Sequence, residues 1–198
     1  MLFDFDGVVV DSEPIHFQSW LELLDPIGIS PTWEWFTAHC VGIADTELFD
    51  TIASLNPLAT GDQVREVYAA KTARYREAMR VAPPFAPGLH QLLEDLATAG
   101  LPCGLVTSSS REEVIPILQV GGLTFNPCIF RDDVTFRKPH PEPYLKGAAA
   151  LGVENILVIE DSDHGANSAR SAGLEVLKIA NAQEVSQRLR ERLIHELT

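Results

Sequence analysis

The strongest constraint on the fold is a rhythm that sets in near residue 100. Four nearly continuous apolar runs, "LPCGLVTS" (101–108), "PCIF" (127–130), "ILVIED" (156–161) and "LEVLKI" (174–179), recur with helical patterns between them. Such runs are expected of strands buried on both faces of a parallel sheet. The stretches "PGLHQLLEDLATAG", "REEVIPILQVGG", "PEPYLKGAAALG" and "DHGANSARSAG" carry the helical signal, and several end in glycine, the usual helix stop. Strand and helix in alternation, joined by right-handed crossovers, give an α/β fold with a doubly wound parallel sheet. "LFDF" near the N-terminus supplies a short first strand.

Residues 13–83 break the alternation and read as helices only, at 13–25, 32–40, 45–55 and 62–80, closed by the proline cluster "VAPPFAPG" (81–88). The expected organisation is therefore a discontinuous α/β core, 1–12 and 84–198, interrupted by an all-helical cap at 13–83. A chain of 198 residues with 45% hydrophobic content can bury the interior this requires. The net charge of −13 argues against nucleic acid and against an anionic membrane surface as partners. No apolar stretch approaches a membrane helix, and acids stand where a signal peptide would carry lysines. Cys40, Cys103 and Cys128 are odd in number and lack zinc-type spacing, which predicts reduced thiols in a cytoplasmic protein, here expected as a monomer. The brevity of Met1–Phe3 ahead of Asp4 predicts that a few residues are missing at one or both ends.

Ligands of open parallel sheets bind beyond the carboxyl ends of the strands. Asp4 and Asp6 follow the first strand, Thr107, Ser108 and Ser109 the second, and Glu160 and Asp161 close "ILVIED". The loop after "PCIF" offers Lys138. In a strand, residues two apart share a face, so Asp4 and Asp6 would stand side by side and raise one another's pKa unless a cation relieves them. Carboxylates, hydroxyls and one lysine at a single sheet edge suit a hard divalent cation with a phosphate. Taken singly, each has a plainer explanation: Thr107–Ser110 or Glu160–Asp161 as helix caps, Lys138 as a solvated side chain. Their joint placement at the correct strand ends is what speaks for a site.

These residues carry a resemblance. "FDFDGVVVDSE", "LVTSSS", "RKPHPEPY" and "VIEDSDHG" lie in the order of the four motifs of the haloacid dehalogenase superfamily, and the chain resembles its branch of helical-cap phosphatases and β-phosphoglucomutases. The resemblance implies a Rossmann-like core and Asp4 as the nucleophile that forms an aspartyl-phosphate. It makes Asp6 the general acid and then base, and gives a Mg²⁺ site of Asp4, the Asp6 carbonyl, Glu160 and Asp161. Gly7, Thr107, Ser108 and Lys138 become the grip on the phosphoryl oxygens, with Lys138 also catalytic. Asp6 disfavours a true dehalogenase, which lacks that aspartate, and favours prompt hydrolysis or transfer.

In the helical segment, Val64, Val67, Tyr68, Tyr75 and Met79 form an apolar stripe with Lys71 in its middle. Either Lys71 runs its stem along the stripe, or, like a cap lysine of the mutases it aligns with, it reaches substrate. His16 matches a mutase hinge histidine and equally suits packing. Where the mutases present an arginine after the cap glycine, here Gly42, this chain has Asp45, and an acid would repel a second phosphate. The expected function is thus Mg²⁺-dependent hydrolysis of a small phosphate monoester, a sugar or other small organic phosphate. The alternatives are a hexose-phosphate mutase and, more remotely, a non-catalytic phosphoacceptor module. His140, Glu142 and Asp163 receive no role from the sequence.

Overall fold

The computed structural model describes residues 1–41, 43 and 45–196. Its elements in chain order are β1 (Leu2–Phe3), α1 (Glu13–Leu24), α2 (Trp33–His39), α3 (Phe49–Ala53), α4 (Gly61–Val81), α5 (Leu89–Thr98), β2 (Gly104–Val106), α6 (Arg111–Gly121), β3 (Cys128–Ile129), α7 (Glu142–Leu151), β4 (Leu157–Glu160), α8 (Asp163–Ser171), β5 (Glu175–Lys178) and α9 (Val185–Glu196). The chain divides into two compact units, one of Met1–Asp11 with Pro83–Thr198, the other of Ser12–Ala82.

In the first unit the five strands form one parallel sheet in the order β3-β2-β1-β4-β5. Phe3 of β1 faces Leu105 on one side and Ile159 on the other, so the shortest sequence signal occupies the centre. The chain winds outward from β1 to β3 and then returns to the far side of β1 with β4 and β5. The winding direction therefore reverses beside β1, where an open sheet forms its ligand crevice. Inner-strand side chains Leu2, Val106 and Val158 are buried against Tyr144 of α7 and Ala169 of α8.

The reading of every run as buried on both faces fails at β5, where Glu175 and Lys178 are exposed, because an edge strand is covered less completely than its neighbours. Helix α9 was not foreseen, since the charged run "RLRER" masks its apolar spacing. It buries Val185 and Leu189, and Ser186 Oγ donates to the Pro87 carbonyl at 2.7 Å.

The second unit is helical. Its core gathers Trp20, Leu24, Ile29, Phe36, Ile52 and Val64, with α4 fixed at its start by a reciprocal cap between Thr60 and Gln63. The helix expected over 45–55 is instead a 3₁₀ turn at Asp45–Glu47 followed by the short α3. The Asp45 carboxylate accepts from Trp20 Nε1 at 3.0 Å and from Lys71 Nζ, which ties that turn to α1 and α4. Among the described residues no helix is long and apolar enough to cross a membrane.

Candidate active site

Asp4 is the first residue beyond β1. Its N–H donates to the Ile159 carbonyl at 3.0 Å, which carries the sheet pairing one step further and delivers its side chain to the end of β4. The chain then turns sharply: Gly7 has φ +72° and donates to the Val10 carbonyl at 2.8 Å, while Val9 and Val10 donate back to Phe5. A Cβ at position 7 would run into the Asp161 carboxylate, so glycine is required both by the backbone and by the space. The turn, rather than a strand, sets the relation of Asp4 and Asp6, and behind burial and Glu160, Asp6 remains among the charges that raise the Asp4 carboxyl. β1 ends at Phe3, and Asp6 enters a different hydrogen-bonding environment from Asp4.

Lys138 ties the site together. Its ammonium donates to Asp4 Oδ1 and Glu160 Oε1, both at 2.7 Å, to the Val106 carbonyl at 3.0 Å and to Tyr144 Oη at 3.1 Å. Tyr144 in turn donates to Glu160 Oε1 at 3.0 Å. The other Glu160 oxygen accepts from the N–H and Oγ of Ser162, each at 3.0 Å, and Ser162 Oγ also caps α8 at Gly165. Gly165 has no room for a side chain, because its Cβ would meet the Glu160 carboxylate. Tyr144 and Ser162 received no role from the sequence. The signal for Tyr144 was its place one helical turn into α7, after the Lys138 loop.

The loop bearing Lys138 is shaped by residues that the sequence left without roles. Glu142 accepts from the N–H groups of Thr135 and Phe136 at 3.0 and 2.8 Å and pairs with Lys146 at 2.9 Å. The Lys146 bond, with the two backbone bonds, pulls the Glu142 carboxyl down to about 2. The His140 carbonyl accepts from Ser168 Oγ at 2.6 Å, anchoring the same loop to α8. Asp163 pairs with Lys178 of β5.

Asp4, Glu160 and Asp161 each offer an oxygen within 4.8 Å of the others. Burial first, and then Glu160, push the Asp4 carboxyl well above the usual carboxylate range, against the pull of Lys138. Burial and Glu160 likewise raise Asp161 to about 7. Burial would also raise Glu160, but Lys138 and the Ser162 bonds take it below its ordinary value. Burial would lower Lys138, and Asp4, Tyr144 and Glu160 more than reverse that, so the ammonium stays charged. Three carboxylates around one ammonium would carry an excess of two negative charges if all were ionised. A divalent cation with oxygen ligands fits that donor set.

The second loop divides its hydroxyls among distinct partners. Thr107 is buried, and its Oγ1 accepts from the Ser109 N–H at 3.0 Å. Ser108 is exposed. Ser109 Oγ donates to Asp6 Oδ2 at 2.7 Å. Ser110 turns away to Glu113, its Oγ and N–H both donating to Oε2 at 2.6 and 3.1 Å. The capping explanation thus holds for Ser110 alone of the four.

His16 and Lys71 belong to the helical unit and meet there. Lys71 is 1% exposed, with Nζ 2.5 Å from Asp45 Oδ2 and 2.6 Å from His16 Nδ1, and the His16 ring stacks on Tyr75. Lys71 therefore does not run along the stripe to water; its ammonium is enclosed beside an acid. Gly42 lies outside the described residues.

Comparison with known proteins agrees with this geometry. The profile of the haloacid dehalogenase-like hydrolases matches residues 1–179. Hexitol phosphatase A of Escherichia coli is 32% identical over 196 residues, covering 96% of this chain and 86% of that protein. The phosphorylated carbohydrates phosphatase of Thermotoga maritima is 28% identical, covering 88% of this chain and 82% of its own length. A haloacid dehalogenase-like protein of unknown function from Agrobacterium tumefaciens superposes with a TM-score of 0.76 at 27% identity, over 96% of this chain and 88% of its own. With that profile matched over residues 1–179, and with Asp4, the bridging Lys138 and the acidic pair Glu160–Asp161 at the reversal point of its sheet, the chain belongs to the haloacid dehalogenase-like hydrolases.

Proposed function

We propose that the protein is a Mg²⁺-dependent phosphatase that hydrolyses a small phosphate monoester through an aspartyl-phosphate on Asp4. The observation that carries this reading is the junction at Lys138, whose ammonium lies 2.7 Å from both Asp4 and Glu160 within a cluster of three close carboxylates. Asp4, Glu160 and Asp161, with the Asp6 carbonyl, would hold the cation. When bound, it neutralises the carboxylates and polarises a phosphoryl oxygen. Asp4 attacks phosphorus while the bond to the ester oxygen breaks, and Asp6 gives that oxygen its proton. Asp6, now ionised, takes a proton from water, whose oxygen attacks phosphorus and frees Asp4 as phosphate departs. Lys138, Thr107, Gly7 and the Ser108 N–H hold the phosphoryl oxygens, and this positioning with its electrostatics supplies most of the rate.

The curated relatives point to phosphorylated sugars or polyols as the substrate class. Hydrolysis is favoured over mutase chemistry by the Asp45–Lys71 pair, since an acid already engaged with the buried lysine does not offer a cationic seat for a second phosphate. The test is phosphate release from a panel of sugar and polyol phosphates with Mg²⁺, wild type against Asp4→Asn. The variant is expected to lose ~10³-fold or more. Full activity in Asp4→Asn would refute the nucleophile, and isomer formation from a sugar 1-phosphate without phosphate release would replace the phosphatase by a mutase.

A further inference from the structure

The backbone of Ser109 in the "TSSS" loop is pinned on both sides. Its N–H donates to Thr107 Oγ1 at 3.0 Å and its carbonyl accepts from the Arg131 N–H at 3.0 Å. The next residue is locked to the start of α6 through Glu113. A hydroxyl on so constrained a backbone has little freedom, and it is aimed across 103 residues of sequence at Asp6 Oδ2, 2.7 Å away. Asp6 itself sits on the tight turn closed by the Gly7–Val10 and Val9–Phe5 hydrogen bonds. Two hydrogen-bonded loops that follow different strands thus meet at this side-chain contact.

From this geometry we infer that Ser109 is a positioning residue for proton transfer: its hydroxyl fixes the Asp6 carboxyl in the orientation from which Asp6 serves the leaving oxygen. The bond to Oδ2 sets the plane in which the Asp6 carboxyl meets the leaving oxygen. As the phosphorus–oxygen ester bond breaks and the Asp4–phosphorus bond forms, the Asp6 proton passes to the departing oxygen, and Asp6 is left as a carboxylate that Ser109 continues to hold. The inference rests on the reading of Asp6 as the acid of a phosphatase. It adds a residue whose effect must depend on how badly the leaving oxygen needs a proton. A hydrogen bond to a charged group is worth enough for a 10- to 100-fold effect, at order-of-magnitude precision, where that proton matters.

The experiment measures kcat/KM, which reports the steps up to leaving-group departure, for an alkyl phosphate (glycerol 2-phosphate) and for p-nitrophenyl phosphate. The proteins are wild type, Ser109→Ala, Ser109→Thr and Asp6→Asn, with Mg²⁺ and with folding checked by thermal melting. Ser109→Ala is expected to lose about 10-fold or more on the alkyl ester and several-fold less on the aryl ester, whose leaving oxygen needs no proton. Ser109→Thr, which keeps the hydroxyl, should recover most of the loss, and Ser109→Cys serves in its place should the threonine variant not fold. Equal losses on both esters in Ser109→Ala, or no loss, overturn the role of Ser109 while Asp6→Asn still shows the leaving-group dependence. If Asp6→Asn itself keeps full activity on the alkyl ester, the phosphatase reading of Asp6 has failed instead.

Discussion

Replacing Lys138 by methionine keeps the length and apolar stem of the side chain but removes the cation that, among the described residues, binds both Asp4 and Glu160. The lysine side chain is 5% exposed and that of Glu160 is not exposed at all, so solvent cannot take over its bonds. Two ionised carboxylates with oxygens up to 4.8 Å apart repel by about 3.5 kcal/mol at an effective dielectric of about 20. The Val106 carbonyl and Tyr144 Oη lose a donor as well. Removing one partner of a buried pair costs about 3–5 kcal/mol in general. Asp4, already raised by burial, limits the damage by taking up a proton in metal-free protein. For a unit of this size about 1 kcal/mol moves the midpoint by roughly 3–5 °C, so the α/β unit of Lys138→Met should melt roughly 9–25 °C lower in EDTA at neutral pH.

The sign with pH separates charge from packing. Glu160 is held below its ordinary value by Lys138 against the upward push of burial, so the stability it contributes is present above about pH 4.5 and fades as pH falls through its lowered folded value. The gap between wild type and variant should therefore narrow below about pH 4.5 in scanning calorimetry. Mg²⁺ should narrow it at neutral pH, since a divalent cation also balances the carboxylates. A midpoint within about 2 °C of wild type in EDTA at pH 7.5, or a gap that stays constant into acid, would refute this account of the junction.

Metal removal has its own pH signature. Asp161 is raised to about 7 and Asp4 is raised well above its ordinary value, so both favour the folded, metal-free protein at low pH and lose that contribution as pH climbs through their folded values. Melting of the α/β unit in EDTA should fall between about pH 5 and 8, the increment from Mg²⁺ should grow over the same range, and an increment constant with pH would count against the cluster as the metal site. In the helical unit, Lys71→Met takes the ammonium from Asp45, whose side chain is 19% exposed and keeps its bond from Trp20, and should cost about 2–4 kcal/mol in urea unfolding followed by tryptophan fluorescence. Lys71→Met with Asp45→Leu should recover more than half of it, and an unshifted midpoint in the single variant would deny the pair any structural part.

The two buried lysines show what a sequence does and does not expose. Lys138 was legible because it is the only lysine in a loop that must follow a strand, and strand ends in a doubly wound sheet converge wherever the helices go; its partners Asp4 and Glu160 were legible for the same reason. Its bonds to Tyr144 and the Val106 carbonyl were not, because they depend on how far α7 approaches β2, a packing distance that no residue pattern states. Lys71 was visible only as an anomaly in an apolar stripe. Its partner Asp45 lay in a stretch whose pattern read as one helix, and a regular helix would have carried that carboxylate on a different course. The 3₁₀ turn found there is held by tertiary contacts: Trp20 Nε1 and Lys71 Nζ both donate to Asp45, two charge-assisted bonds from residues 25 and 26 positions away that no local propensity states. Ser109 falls between these cases. Its loop was found by topology, but three serines in a row are indistinguishable as letters, and only the direction in which a pinned backbone sends each hydroxyl tells the cap from the residue that reaches Asp6. Topology assembles the inventory of a site, and backbone direction then decides which of several identical side chains reaches the acid across the sheet edge.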